Sequence, residues 1–293
     1  MSLRPYLQLL RPANLVTAVA DILAGYSFVF WTFRNQTYAS PDLAWLCLST
    51  LGLYGGGVVL NDFFDADLDA VERPERPIPS GRVRKSDVGW FGFGLLGLGV
   101  LAAMPAGGYS WPIAAAVALL TVLYNRFAKH HVFVGPLVMG LCRGGNLLLG
   151  MSAVDEALAW GPVAGPVPVL YIFAVTLVSQ GEVHGGGRWK LWVALLLFLS
   201  VQFFQGTLGY VDDNLLLILP FLVLHAAFLY PPLLQAIENP IGPNIGKAVK
   251  AGVISLILMD AAWAAATGQF WAAVGIAALL PVSRFLAVKF AVT

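Results

Sequence analysis

The chain of 293 residues is 58% hydrophobic and only 11% charged, and its mean hydropathy is +0.77. Soluble domains carry about 25% charged residues, so this composition excludes an ordinary soluble protein. The formal net charge of +1 provides no bulk field for binding nucleic acid, and we expect no nucleic-acid partner.

Apolar segments long enough to cross a bilayer recur along the whole chain. A crossing helix needs about 20 mostly apolar residues, and continuous rather than alternating runs indicate helices instead of a barrel. We therefore predict an all-α, polytopic bundle of nine or ten helices that forms one domain over residues 1–293. The apolar runs lie near residues 13–33, 42–60, 88–105, 111–124, 132–151, 163–179, 191–209, 214–231, 251–267 and 269–288.

Lys and Arg residues are concentrated in alternate loops between these runs. The positive-inside rule places such loops, together with the N-terminus, in the cytoplasm. We expect an integral, multi-pass membrane protein whose chemically rich loops all face the cytoplasm. The basic loops contain Arg73, Arg76, Arg82, Arg84 and Lys85; Arg126 and Lys129; Arg188 and Lys190; and Lys247 and Lys250.

An unusually acidic stretch, NDFFDADLD at residues 61–69, ends the second apolar run. On a helix, Asp62, Asp65 and Asp69 would form one stripe about 10 Å long. The nearest basic residue is Arg73, so Mg²⁺ is the better compensation, since it prefers a few carboxylates with water and phosphate oxygens. A solvated acidic turn is the alternative, but acids beside the hydrocarbon region tend to be functional.

The acidic stretch resembles the first signature of the UbiA superfamily of membrane prenyltransferases, N-D-x-x-D-x-x-x-D. The RPERPIPSGRV that follows it, RPANL at 11–15 and YNRFAK at 124–129 are similar to other family segments. The resemblance implies a helical fold around a central, lipid-accessible cavity. It also implies an isoprenyl diphosphate donor, a small-molecule acceptor, contact with membrane lipid and Mg²⁺ as cofactor.

The same resemblance implies roles for individual residues. The metal and its diphosphate would be held by four residues of the acidic stretch: Asn61, Asp62, Asp65 and Asp69. Substrate would be contacted by residues from other matching segments: Asn14, Arg73, Tyr124 and Lys129.

The second acidic motif of the family is reduced in this chain. The equivalent loop, SQGEVHGGGRWK at residues 179–190, has one acid, Glu182, with Gln180 and His184 nearby. We predict that Glu182 and His184 complete the catalytic site, Glu182 as a metal ligand, and that Gln180 binds substrate. A flexible loop that has lost its metal site is the alternative. Together with LCRGGNLLLG at 141–150, this loop resembles an EboC-like subgroup of the superfamily.

Two further residues lie within apolar runs. A buried Arg must be paired, and the candidate partners of Arg143 are Asp21 and Asp260. Arg143 is interpreted either as a substrate contact or as part of an interhelical ion pair alone. His225 is interpreted as a hydrogen-bonded packing residue.

The leading hypothesis is a Mg²⁺-dependent prenyltransferase that moves an isoprenyl group from its diphosphate to a small acceptor. A membrane terpene cyclase would use the same metal-dependent ionisation, and the sequence does not separate the two. A non-catalytic protein that binds or transports a prenylated metabolite is a third possibility, although a lipid carrier has little use for a metal-binding stripe. An ion or proton transporter ranks last, because the acids cluster in a loop.

Overall fold

The computed structural model describes residues 4–33, 42–183 and 185–290, and these ranges contain helices and turns but no strands. The helices are α1 (Arg4–Leu10), α2 (Pro12–Thr32), α3 (Asp42–Phe64), α4 (Ala66–Glu72), α5 (Lys85–Ala103), α6 (Ser110–Leu123), α7 (Val134–Met151), α8 (Gly161–Ala164), α9 (Pro166–Ser179), α10 (Arg188–Val211), α11 (Leu215–Glu238), α12 (Gly242–Ala266), α13 (Phe270–Ala277) and α14 (Leu279–Phe290).

Nine helical segments of the described ranges are long and apolar enough to cross a membrane, and one bent pair raises the number to ten. The bent pair, Asp155–Ala164 and Pro166–Ser179, changes direction by 48°. Pro166 is the first residue of the helix after the break. At that position a backbone N–H has no partner within the helix, so the proline removes no helical hydrogen bond. The prediction of an all-α bundle with nine or ten helices is confirmed.

Close packing of α2 against α7 fixes one side of the bundle. A Cβ atom added at Gly25 would collide with the carbonyl oxygen of Leu147, and one added at Gly150 would collide with that of Ile22. Because lipid provides no hydrophobic force between helices, such small residues allow the backbone contacts that hold membrane helices together. The contact presents the polar face of α7 to α2.

A buried hydrogen-bond network joins α9, α10, α11 and α12 on the opposite side. The Tyr171 hydroxyl lies 3.1 Å from His225 Nε2 and donates to the Gly252 carbonyl oxygen at 2.9 Å. Gln202 Nε2 lies 3.0 Å from His225 Nδ1. The interpretation of His225 as a hydrogen-bonded packing residue agrees with these contacts.

The last membrane crossing, formed by α13 and α14, packs against α2 and α12. Ser283 of α14 donates a hydrogen bond of 3.0 Å to the carbonyl oxygen of Ala13 in α2. The end of this crossing thus lies beside the start of α2, next to the region where the polar loops gather.

Candidate active site

A cavity of about 430 Å³ lies between α2, α3, α6, α7, α9 and α12. One end, which we call the mouth, is charged and adjoins the acidic stretch. The mouth residues are Arg11, Asn61, Asp65, Asp69, Arg73, Arg76, Glu182 and Lys250. Further inside, the cavity is lined by side chains of the membrane-spanning helices. It therefore joins a charged region to the interior of the bundle.

The acidic stretch spans the junction of two helices but keeps helical hydrogen bonds across it. Helix α3 ends at Phe64 and α4 begins at Ala66, with Asp65 between them. The Asp65 amide nevertheless donates to the Asn61 carbonyl oxygen at 3.0 Å, and the Asp69 amide donates to that of Asp65 at 2.8 Å. These i to i+4 bonds keep the acids of the stripe near one another.

Two arginines distant from the acids in sequence neutralise the buried part of the stripe. Arg11 Nη2 lies 2.6 Å from Asp62 Oδ1, and Arg76 Nη1 lies 2.7 Å from Asp69 Oδ2 and 3.3 Å from Asp62 Oδ1. Asp62 and Asp69 are both buried. The sequence favoured Mg²⁺ as the compensation because the nearest basic residue is Arg73, but the fold also supplies protein cations, Arg11 from the position before α2 and Arg76 from the loop after α4.

Lys129 supplies the cation for the third acid, Asp65, through a direct salt bridge. It follows a π-helical turn, Tyr124–Ala128, and π-turns are frequent at functional sites. In the same turn, Asn125 accepts a hydrogen bond of 3.1 Å from Asn61 Nδ2. The segment predicted from YNRFAK is therefore brought directly to the acidic stretch.

Glu182 and Arg73 reach the mouth from opposite loops. Both line the cavity and also a smaller one of about 380 Å³ beside it. Burial raises the pKa of the Glu182 carboxyl above its ordinary value, although the charges of Arg73, Arg11 and Arg76 oppose the shift. Burial also raises the pKa of Asp69, against the hydrogen bond and the charge of Arg76.

Gln180 lies away from the cavity. Its Nε2 donates to the Val132 carbonyl oxygen at 3.1 Å, and its Oε1 accepts from Lys190 Nζ at 2.7 Å, both at the exposed surface. These contacts do not support the substrate-binding role predicted for Gln180, because its side chain is held on the outer face of the loop. His184 lies outside the described residues.

Arg143 lies deeper in the cavity and is nearly fully buried. Its Nε lies 2.5 Å from Asp21 Oδ2, and its Nη2 donates to the Thr17 carbonyl oxygen at 2.6 Å. The predicted pairing of Arg143 with Asp21 is confirmed. Because Arg143 also lines the cavity, the ion pair and the substrate contact are compatible. Asn14 and Tyr124 line the same cavity.

Several lining residues were not singled out from the sequence as site residues. From the sequence, Arg76 was only a basic loop residue, Arg11 was only part of RPANL, and Asn125 was only part of YNRFAK. The proximity of Arg11 to Asp62, 51 positions along the chain, follows from packing and has no local signal. Arg76 stands in the RP-containing segment after the acidic stretch, and that segment was the available signal.

The donors at the mouth suit a hard divalent ion chemically, since they are carboxylate and amide oxygens. Within the described ranges, however, no three His, Cys, Asp or Glu side chains converge closely enough to hold an ion by themselves. Mg²⁺ commonly uses one or two carboxylates and completes its shell with waters and substrate phosphates. The residues present therefore fit an ion that arrives together with a diphosphate.

Comparison with known proteins identifies the family. The sequence matches the UbiA prenyltransferase family over residues 15–183, more than half of the chain. The chain belongs to this family of membrane prenyltransferases. It is an integral, multi-pass membrane protein. The predicted family is thus confirmed, whereas the resemblance to an EboC-like subgroup stays a prediction.

Individual relatives agree with this assignment. The chain is 32% identical over 180 residues to a digeranylgeranylglyceryl phosphate synthase of Ignicoccus hospitalis, a match that covers 61% of this chain and 57% of that protein, less than two thirds of its length.

Solved structures share the fold. A structure from work on digeranylgeranylglyceryl phosphate synthase in membranes has a TM-score of 0.64 at 21% identity and covers 90% of this chain and 98% of its own. A UbiA homolog from Archaeoglobus fulgidus, bound to DMAPP and Mg²⁺, has a TM-score of 0.58 at 15% identity and covers 86% and 98%.

Proposed function

We propose that this chain is a Mg²⁺-dependent membrane prenyltransferase that transfers an isoprenyl group from its diphosphate to a small acceptor. The observation that carries the proposal is the cavity that joins a charged mouth to the interior of a membrane bundle. An isoprenyl diphosphate has the same two parts, a charged head and an apolar tail. The structure of the Archaeoglobus fulgidus homolog with DMAPP and Mg²⁺ supports this choice of donor and metal.

The mouth residues and two of their ion-pair partners, Asp62 and Lys129, include two chemical groups with complementary roles. The metal would be held by oxygens of Asn61, Asp62, Asp65, Asp69 and Glu182. The diphosphate would be held by Arg11, Arg73, Arg76 and Lys129. When bound, the ion would neutralise charge that develops on the departing diphosphate. The cations now paired with the acids would turn to diphosphate oxygens as the acids take the metal.

The transfer breaks the bond between C1 of the prenyl group and the diphosphate oxygen, and its electron pair leaves with the diphosphate. A new bond then joins the acceptor to C1, and the acceptor's proton passes to water or to the released diphosphate. The Tyr124 ring, which lines the cavity, would offer an aromatic face to the positive charge that develops at C1. Asn14 and Arg143 would contact substrate from inside the cavity.

The basic loops around the mouth support an active site that faces the cytoplasm, with the N-terminus on the same side. This orientation can be checked separately from the chemistry. A cysteine introduced beside the mouth, at Arg82, should react with a membrane-impermeant maleimide only after the cytoplasmic side of the membrane is opened. Labelling in sealed cells would overturn the orientation.

The reaction is tested by measuring diphosphate release from isoprenyl diphosphates of graded length, with Asp65→Asn beside the wild type. We expect release from the wild type and loss of release from the variant. Asp67→Asn is the matched control, since Asp67 is exposed and pairs with Lys85 on another side of the stretch. Equal rates for wild type and Asp65→Asn would contradict the assignment of Asp65 to a metal site.

The products separate this function from the alternatives. A cyclic hydrocarbon or alcohol formed from the donor alone would identify a terpene cyclase. Binding of the donor with Mg²⁺ but no diphosphate release with any acceptor would identify a non-catalytic carrier. Release that depends on an added acceptor, with a prenylated product, is the result expected for transfer.

A further inference from the structure

The inner part of the cavity has two unlike sides. Helices α9 and α12 contribute the aliphatic side chains Ile172, Val175, Val249 and Val253, together with Thr176. The amide and guanidinium groups that line the cavity below the mouth come from α2 and α7, with Thr50 and Tyr54 of α3 beside them. These groups belong to Asn14, Arg143 and Asn146. We call the side formed by α2, α3 and α7, which carries these polar groups beside the apolar Leu53, Val58 and Met139, the polar wall, and the side formed by α9 and α12 the apolar wall.

The polar wall is a fixed hydrogen-bonded assembly. Asn146 Nδ2 donates to Asp21 Oδ2 at 2.8 Å and to the Ala18 carbonyl oxygen at 2.9 Å, while its Oδ1 accepts from the Thr50 hydroxyl at 2.7 Å. Arg143 is anchored through Nε and Nη2, but its Nη1 has no hydrogen-bond partner among the residues that the structure describes. A nearly fully buried guanidinium therefore keeps one donor group for a ligand.

The charges around Arg143 favour an uncharged ligand. Asp21 and Asp260 are completely buried and lie next to each other, so two carboxyl groups face one guanidinium. The assembly is electrically neutral when the two carboxyl groups share one proton, and neutrality is strongly favoured within a membrane. An additional anion here would have no counter-ion. A neutral oxygen can accept a hydrogen bond from Arg143 Nη1 without adding a buried charge.

Arg143 lies far enough from the mouth for a small molecule to fit between them. Its guanidinium lies 5.7 Å from the centre of the Tyr54 ring and contacts the carbonyl oxygen of Thr17. Thr17 follows Arg11 by six positions, and Tyr54 precedes Asn61 by seven, which correspond to about 9 and about 10.5 Å along a helix. A ligand bound to Arg143 can thus extend upward to a donor whose head lies at the mouth.

We propose that the polar wall is the acceptor subsite and takes a small, uncharged molecule with a hydroxyl or carbonyl oxygen that accepts from Arg143 Nη1. The isoprenoid tail lies against the apolar wall, where it displaces no polar contact. This assignment rests on the prenyl-transfer function proposed above. An anionic acceptor would instead be attracted to the arginines of the mouth.

Cysteine labelling can compare the two walls directly. Cys142 lies on α7 next to Arg143 and lines the cavity, so it reports on the polar wall once Cys47 is replaced by Ala. A second protein, Cys47→Ala/Cys142→Ala/Val253→Cys, reports on the apolar wall. Each is labelled in detergent with two methanethiosulfonates of similar size, the uncharged hydroxyethyl and the anionic sulfonatoethyl compound.

Two results are expected. Geranyl diphosphate with Mg²⁺, at about ten times its Kd, slows labelling at position 253 about tenfold and slows labelling of Cys142 less than about threefold. Without donor, the uncharged reagent modifies Cys142 about tenfold faster than the anionic one, relative to their rates with a free thiol. Stronger protection of Cys142 than of position 253, or no preference for the uncharged reagent, would overturn the acceptor subsite.

The same measurement separates this inference from the proposed function. If the donor protects neither position, no donor tail enters the cavity, and the proposed prenyl-transfer site falls together with the acceptor subsite. If the donor protects Cys142 rather than position 253, the donor site stands and only the assignment of the walls is wrong. Val249→Cys is the second reporter on the apolar wall if Val253→Cys does not give a monodisperse protein.

Discussion

The two loops that meet at the mouth are built differently. The first, which we call the first loop although Asp62 lies at the end of α3 and Asp69 in α4, packs acids and cations into a bonded network in which Asp62 and Asp69 are buried. The second, after α9, brings a single acid, Glu182, and that acid is offset only by the charges of arginines from other segments. The first loop is therefore a preorganised site, whereas the second adds one group to it.

This difference indicates how the family's two-motif site can persist with one motif reduced. At the first loop each of the three acids already has a cation, so the site is close to neutral before any ligand binds. Under the proposed function, a metal and a diphosphate would then enter together by exchange of partners. The second loop needs only to supply one further oxygen near the metal, which is the role proposed for Glu182.

The largest effect is expected from an acid of the first loop. Asp69→Asn should lower kcat/KM for the donor about 100-fold, or about 2.7 kcal/mol, because it removes a charged metal ligand and half of the anchor of Arg76. Steady-state diphosphate release measures this effect. Asp67→Asn should change the rate less than about twofold, since surface pairs contribute little. Similar rates for the two variants would contradict the assignment of Asp69, and not of the exposed Asp67, to the site.

A smaller loss is expected at the second loop. Glu182→Gln should lower activity about tenfold, or about 1.4 kcal/mol. Because burial raises the pKa of Glu182, the folded state disfavours its ionised form, so the neutral Gln should also raise the thermal unfolding temperature at neutral pH. This gain should vanish at acid pH, where Glu182 is protonated both folded and unfolded. Unchanged kinetics would make the loop a scaffold.

Partner exchange at the first loop predicts opposite effects on two ligands. Arg76→Gln frees Asp69 and leaves Asp62 paired with Arg11 alone, so Mg²⁺ alone should bind roughly threefold more tightly, while geranyl diphosphate with Mg²⁺ should bind roughly threefold more weakly. Isothermal titration calorimetry measures both constants. Arg84→Gln, which changes a basic residue of the same loop that does not line the cavity, is the control. Weaker binding of both ligands would contradict the exchange.

Much of the fold was predictable because the bilayer fixes the length and composition of each crossing. The spacing of Asp62, Asp65 and Asp69 is also local information, since i to i+4 bonds are set by the chain itself. The cations were not predictable in the same way. Arg11 lies between α1 and α2, so its contact with Asp62 depends on how these two helices pack against α3.

The polar and apolar walls of the cavity could not be predicted from the sequence, because they too depend on how distant helices pack. A buried Arg must find a counter-ion, and that rule correctly pointed from Arg143 to Asp21. It did not predict that one nitrogen of Arg143 would have no hydrogen-bond partner among the described residues. Side-chain direction at a helix end is equally hard to predict, and Gln180, the first residue after α9, turned outward.

The smallest effect is expected at Gln180, and it sharpens the contrast within the second loop. Gln180→Ala removes hydrogen bonds to Lys190 and to the Val132 carbonyl at the exposed surface, where such bonds contribute little. Donor KM and kcat should each stay within about twofold of wild type, in contrast to the tenfold loss expected for Glu182→Gln two positions later. A rise in KM with unchanged kcat would show that Gln180 turns inward when substrate binds. The second loop would then contribute two groups to the site instead of one.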